Sequence, residues 1–362
     1  MPEEILHKKD KPIWHMRRAL RLAKKGSGAV MPNPMVGAII VHDDTNGHDA
    51  QTSPTRIGEG WHEKFGENHA EINAIENCIA GDHSPKGATM YVTLEPCCHT
   101  GKTPPCTDAI IKSGVKKVVI ATLDPNEKVA GKGAAALRAA GIEIEIGLLE
   151  EEARKLNREF FTFHEKKRPF ITLKVAMSLD GKIAKNRTEQ TWLTGPRAQK
   201  QVHIMRSKHE AILVGAGTII ADNPHLGVRL VESQAGKDPL RVILQGKDPL
   251  PQDAAVFRDK NYLVLKEKSA TEITAALHKK GITSLLVEGG QEVFNSFLAS
   301  GLVDELKMLI APVILGEDAL PFTNINAALP VAIQSTQKLG QDVLITATPA
   351  HSQAQQHSQC HL

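Results

Sequence analysis

A stretch running from His69 to Cys106 constrains this chain more than any other. It opens with His69-Ala70-Glu71 and closes with Pro96-Cys97-Cys98-His99-Thr100-Gly101-Lys102-Thr103-Pro104-Pro105-Cys106. One imidazole, a carboxylate two residues on, and two cysteines beside prolines are the parts of a catalytic zinc site, with three protein ligands and one open position. The pattern predicts a helix starting at His69 and a strand over 90–94 that delivers Pro96 and Cys97. Cys106 opens a further helix over 106–112, whose N-terminal amides favour its thiolate.

Charge explains the glutamate. A neutral His69 and the thiolates of Cys97 and Cys106 cancel the charge of Zn²⁺, leaving a weaker Lewis acid than one held by three imidazoles, so a nearby base must take the proton of water. Glu71 sits at the start of a helix whose apolar positions are Ile72, Ile75, Cys78 and Ile79, and it can face the open position. This reads as a hydrolytic deaminase centre, where such a glutamate carries protons and is not a ligand. The spacing departs from the H-x-E…P-C-x-x-C signature, since eight residues separate Cys97 from Cys106, and Cys98 stands as a rival ligand. A structural site closed by His99 is the opposing reading. The glycine, Lys102 and Thr103 beside His99 make a loop suited to an anion, which instead favours His99 as a substrate contact.

The 362 residues suggest two domains, and 41% hydrophobic with 23% charged residues is ordinary for a soluble protein. A net charge of +3 and only 4% aromatic residues argue against nucleic acid as the partner. No apolar run has signal-peptide or membrane-spanning length, and the five cysteines are an odd number with three clustered as ligands, so a reducing cytoplasm and no membrane are expected.

In chain order, an amphipathic helix is expected over 12–25, then Pro32-Asn33-Pro34 feeding a buried strand over 36–41. Asn33, restricted between prolines, is either an Asx turn or an amide held ready to read a heterocycle edge. A polar loop over 42–56 precedes a second strand, and His62 beyond it is either a pocket residue or a surface one. A strand over 115–121 leads to Asp124-Pro125-Asn126, and a helix over 134–140 and strand over 142–146 complete an α/β sandwich. Residues 150–168 read as a charged, helical linker ending at Arg168-Pro169. A second alternation follows: strands over 170–176, 211–214, 240–244, 262–265, 284–287 and 305–311, with helices over 196–208, 271–279 and 292–300. The domains are thus expected at 1–149 and 169–349, with a disordered tail over 350–362. No G-x-G-x-x-G occurs here, yet Gly215-Ala216-Gly217-Thr218 and Val287-Glu288-Gly289-Gly290 sit at strand–helix junctions, as tight turns or as phosphate sites. Arg206 and Arg229 are candidates for pairing with a phosphate.

Five stretches together resemble the bifunctional riboflavin-biosynthesis family, a pyrimidine deaminase fused to a pyrimidine reductase. They are Pro96 to Cys106, Asp124-Pro125-Asn126 with Val129-Ala130-Gly131-Lys132-Gly133, Leu173-Lys174 with Ser178-Leu179-Asp180-Gly181, Ala221-Asp222-Asn223-Pro224, and Val287-Glu288-Gly289-Gly290. The resemblance implies a cytidine-deaminase-like α/β/α sandwich followed by a dihydrofolate-reductase-like α/β domain. It implies zinc on His69, Cys97 and Cys106, with Glu71 as proton carrier. Asn33, His62, His99, Lys102 and Asn126 would contact a phosphoribosylated diaminopyrimidine. It implies NADPH on Ala176, Trp192, Thr218, Asp222, Gly246, Gly290, Gln291, Glu292, Val293, Phe294, Asn295 and Ser296. Reductase substrate would meet Gln190, Arg206, Leu226, Arg229 and Glu288, with Lys174 near the hydride path. A homodimer is the family's expected assembly. Gly227 and Gln291 depart from the threonine and proline expected there.

Overall fold

The computed structural model describes residues 11–42, 56–99, 104–233, 236–247, 249–266 and 268–350. Most of the polar loop expected over 42–56 and of the tail over 350–362 lies outside the described residues. The chain divides into two compact units, Met1–Glu165 and Lys166–Leu362.

The first unit contains α1 (Lys11–Ala23), β1 (Gly37–Val41), β2 (Arg56–Trp61), α2 (Ala70–Ala80), β3 (Thr89–Val92), α3 (Cys106–Ser113), β4 (Lys117–Ile120), α4 (Lys132–Ala139), β5 (Glu143–Ile146), α5 (Glu150–Leu156) and α6 (Arg158–Glu165). Its sheet has the order β2-β1-β3-β4-β5, antiparallel around β1 and parallel from β3 to β5. Alternate residues serve opposite faces. Ala38, Ile40, Met90 and Val92 pack with Ala70, Ala74 and Cys78 of α2 and Ile110 of α3. The intervening Ile39, Val41 and Tyr91 pack with Met16, Ala19 and Leu20 of α1 and Ala153 of α5. Burial on both faces is why these strands read as continuous apolar runs. A Cβ on Gly58 would lie 2.4 Å from the Ala74 carbonyl oxygen, so only glycine lets α2 approach β2 this closely.

The charged stretch expected as a helical linker over 150–168 is helical, and up to Glu165 it forms α5 and α6 of the first unit. Their charge concealed the buried Ala153, Phe161 and Thr162 and one buried amide, Asn157, that separates them. Asn157 accepts from the Met35 N–H and donates to the Met35 carbonyl, each at 2.8 Å.

The second unit contains β6 (Phe170–Ser178), β7 (Lys182–Ala184), α7 (Pro196–Ser207), β8 (Ala211–Gly215), α8 (Ala216–Asp222), β9 (Leu240–Gln245), β10 (Tyr262–Lys266), α9 (Ala270–Lys279), β11 (Ser284–Gly289), α10 (Gln291–Ala299), β12 (Glu305–Ala311), β13 (Leu320–Pro321), β14 (Val331–Leu339) and β15 (Asp342–Pro349). The main sheet runs β10-β9-β8-β11-β6-β12-β15-β14. Its first six strands are parallel, and β15 and β14 add antiparallel. Ala211, Leu213, Leu285 and Val287 face α9 and α10. Ile212, Val214 and Leu286 face α7 and α8. Asp304 fixes the start of β6, accepting Arg168 at 2.6 and 2.8 Å and the Ile171 N–H at 2.9 Å. Among the described residues no helix is long and apolar enough to cross a membrane.

Candidate active sites

Three donors converge where α2 begins, where β3 has ended, and where α3 begins. His69 is the N-cap of α2, Cys97 lies in the loop after β3, and Cys106 is the first residue of α3. Their donor atoms all lie within 4.8 Å of one another. His69 Nδ1 stands 3.6 Å from Cys97 Sγ and 3.3 Å from Cys106 Sγ. A tetrahedral zinc with bonds of about 2.3 Å to sulfur and about 2.1 Å to nitrogen would separate such donors by roughly 3.6 Å, so the triangle fits that ion. Cys98 and His99 do not belong to this group. The Cys106 thiol donates to Cys97 and, with His69, holds Cys97 down to about 4, while the donor role and burial push Cys106 up.

Glu71, only 3% exposed, follows in the first turn of α2. Burial, reinforced by the Cys97 charge, pushes its carboxyl up to about 7. A cavity of about 270 Å³ opens beside it, lined in part by Asn33, His62, His99, Asn126 and Phe160. His62 Nδ1 lies 3.0 Å from the Asn68 carbonyl oxygen, which can only accept, so Nδ1 carries the proton. Burial lowers His62 below its ordinary value, and its bare Nε2 accepts from Asn33 Nδ2 at 3.2 Å. This turns the Asn33 amide so that its Oδ1 is offered to a ligand. Lys102 lies outside the described residues.

Sequence reasoning passed over Glu95. It is 3% exposed, and its carboxylate accepts the N–H groups of Asp124, Gly131 and Ala134 at 3.2, 2.9 and 3.0 Å. One side chain thus ties the cysteine loop to the Asp124–Asn126 wall and to the start of α4. Gly133 makes room, since a Cβ there would sit 2.1 Å from the Pro96 carbonyl oxygen. The only local signal was a carboxylate set between Leu94 and Pro96.

In the second unit the parallel strands all end at one edge of the sheet, where open α/β sheets bind ligands. Ala176 lies near the end of β6, Gly246 directly follows β9, and the ends of β8 and β11 lead into α8 and α10. Thr218 Oγ1 lies against Gly290, 3.2 Å from where a Cβ would be. Asp222 closes α8, and burial raises its carboxyl. Gly290 is the N-cap of α10, so 290–296 form its opening turns. Val293 and Phe294 pack into the core. Gln291 accepts from Arg187 at 2.9 Å and donates to the Pro321 carbonyl at 3.0 Å, Asn295 bonds Asn324 and Thr323, and Glu292 approaches Arg187. These side chains are engaged within the chain. Trp192 is 74% exposed, and Gln190 is exposed beside it.

Next to that edge, Arg206 on α7 donates to Glu288 at 2.7 and 2.9 Å, and Lys174 Nζ lies 3.6 Å from the same carboxylate. Burial alone would raise Glu288, but the two cations hold it at about 2. Burial lowers Lys174, with Glu288 opposing. Leu226 is buried at φ +54°, and the Arg229 N–H donates to His203 Nδ1 at 3.0 Å. Burial, then Arg206 and Arg229, lower His203 to about 4. Sequence pattern gave no sign of this histidine, which acts on a backbone group from a distant helix.

Residues 9–122 match the cytidine and deoxycytidylate deaminase zinc-binding region, and residues 169–345 match the RibD C-terminal domain. The riboflavin biosynthesis protein RibD of Aquifex aeolicus is 42% identical, over 91% of this chain and 96% of its own length. The chain belongs to the RibD family. RibD of Acinetobacter baumannii, form 1, superposes with a TM-score of 0.86 at 36% identity, covering 96% of this chain and 100% of that one. A Thermotoga maritima structure described as a diaminohydroxyphosphoribosylaminopyrimidine deaminase/5-amino-6-(5-phosphoribosylamino)uracil reductase gives 0.82 at 39% identity, covering 95% and 100%. The RibD family joins a zinc-binding type of deaminase to a reductase, and the two α/β units here are the cytidine-deaminase-like and dihydrofolate-reductase-like folds that the sequence led one to expect.

Proposed function

We propose that the first unit hydrolytically removes the C2 amino group of 2,5-diamino-6-(5-phosphoribosylamino)pyrimidin-4(3H)-one, and that the second reduces the ribosylamino side chain of the product to ribitylamino with NADPH. The observation that carries this reading is a buried Glu71 beside the His69, Cys97 and Cys106 triangle, in a chain whose other half matches the RibD C-terminal domain. The activity ascribed to the Thermotoga maritima relative supports it.

His69, Cys97 and Cys106 would hold Zn²⁺, which when bound supplies Lewis acidity and leaves one position open. Glu71 takes a proton from the attacking water, delivers it to the ring nitrogen beside C2, and passes the next to the amine that leaves as ammonia. A carboxylate buried beside the open position is placed to move protons both ways. Asn33 Oδ1 accepts from the pyrimidine, oriented by His62, while Asn126, His99 and Lys102 complete the contacts.

In the second unit, NADPH would lie across the strand ends on Ala176, Trp192, Thr218, Asp222, Gly246 and residues 290–296, and supplies hydride when bound. With the α10 side chains largely engaged elsewhere, its phosphates would meet the backbone N–H groups at that helix start. Gln190, Leu226, Arg206, Arg229 and Glu288 hold the phosphoribosyl substrate. Lys174 Nζ holds the proton that reduction requires. The setting is the cytoplasm, and the partner a small molecule.

The test is to incubate the purified protein with the diaminopyrimidine, following ammonia and nicotinamide absorbance separately. Ammonia should appear without NADPH, and NADPH should be consumed once the deaminated product is present. Absence of ammonia release from zinc-loaded protein would refute the deaminase reading, and absence of NADPH consumption with the deaminated pyrimidine the reductase one.

A further inference from the structure

The cavity beside Glu71 has a wall that comes from α6, the last helix of the first unit. Phe160, on α6, lines it together with Asn33, Pro34 and Glu71. Among the described residues that line it, Phe65 and Phe160 supply the phenyl rings. The Phe160 ring is braced by His164, one turn along α6, with centroids 4.5 Å apart.

What sets α6 against the cavity is Asn157, buried at the break between α5 and α6. Its amide bonds both polar groups of the Met35 backbone at 2.8 Å, as a neighbouring strand would. Met35 is two residues beyond Asn33, whose own N–H is held by the Val30 carbonyl at 2.8 Å. The loop that offers Asn33 Oδ1 and the helix that offers Phe160 are therefore locked in one register by a single side chain.

We propose that α6 belongs to the substrate site of the deaminase: Phe160 contacts the flat heterocycle, and Asn157 is a positioning residue that fixes Phe160 relative to Asn33. This rests on the deaminase reading of the cavity. The charged and polar groups there serve the edges of a pyrimidine, whereas an aromatic wall suits its face. The metal donors lie on other elements, α2, the loop after β3, and α3, and none of them touches Asn157 through the bonds described. Losing α6 contacts should therefore weaken substrate binding and spare the chemical step.

The experiment uses full-length protein with its zinc and compares Phe160→Ala, Phe160→Tyr and Asn157→Ala. Base–aromatic stacking predicts that Phe160→Ala raises KM for the aminopyrimidine roughly 10-fold with kcat little changed. Phe160→Tyr, which keeps the ring, should restore a near-normal KM. Asn157→Ala should raise KM similarly, with zinc content and NADPH oxidation at the second unit unchanged. An unchanged KM in Phe160→Ala overturns the proposal, as does a joint fall of kcat and zinc content in both alanine variants, which would make α6 merely structural. If the unaltered protein releases no ammonia, it is the deaminase reading that fails.

Discussion

Glu288→Gln is the sharpest test of how the second unit is held together. The carboxylate sits between Arg206 and Lys174, with all three side chains largely buried. The two cations overcome the effect of burial and hold Glu288 at about 2 instead of the usual 4.5. That drop corresponds to about 3 kcal/mol of folding stability at neutral pH. Removing one partner of a buried ion pair costs a similar amount, about 3–5 kcal/mol, because the remaining charges stay buried. The two routes converge on the same figure. Its sign with pH also follows. A depressed carboxyl gives stability that is fully present above the unfolded value of about 4.5 and is lost as pH falls toward about 2. The gap between wild type and variant should therefore narrow with acid. Urea-dependent amide exchange in β8 and β11 measures this unit, while exchange in β1 and β4 serves as the internal control. Exchange in β8 and β11 that is unchanged at neutral pH, or a gap that widens with acid, would refute the argument.

Other outcomes are equally definite. Glu71→Ala should cut ammonia release by roughly 10²–10⁴-fold while NADPH oxidation with the deaminated pyrimidine persists, measured in separate assays. Stripping metal with a chelator should abolish deamination alone and expose Cys97 to thiol reagents faster than Cys106, since Cys97 is partly exposed and Cys106 is buried. Glu95→Gln turns an amide N–H₂ toward backbone donors. Denaturant melts should show the first unit losing about 1–3 kcal/mol, with the second unit unaffected.

The sequence made most of this architecture legible where burial is symmetrical. Strands β1, β3 and β4 are packed on both faces, so their short apolar runs stood out, and α2 and α3 were marked by their ligands. Strand β14 was not seen because it carries no such pattern: Gln334, Ser335, Thr336, Gln337 and Lys338 are all exposed along it. Strands β7 and β13, of three and two residues, are too short for any periodicity. The metal donors were legible because their residue types are rare and their chemistry narrow. Glu95, Asn157 and His203 were hidden for the opposite reason. Each acts on backbone groups far along the chain, and a carboxylate, amide or imidazole used that way leaves no mark on its sequence neighbours. The same physics hid the packing of 150–165, where abundant surface charge outweighed four buried residues, Ala153, Asn157, Phe161 and Thr162.

Three buried glutamates show how environment, and not residue type, sets chemistry in this chain. Glu288 faces two cations and stays ionised, so it can orient them and cannot exchange protons near neutral pH. Glu71 is buried beside the imidazole and thiolate of the metal triangle, and burial, with the thiolate charge, raises its carboxyl to about 7. Glu95 meets three backbone N–H groups and is thereby committed to holding loops in place. Exchanging these surroundings would exchange the roles. A cation introduced next to Glu71 would hold it ionised, able to accept the proton of water but slow to return one to the departing amine. On that argument, deamination by such a variant should fall furthest below that of the unaltered protein near neutral pH and converge with it at high pH, where neither retains a protonated carboxyl.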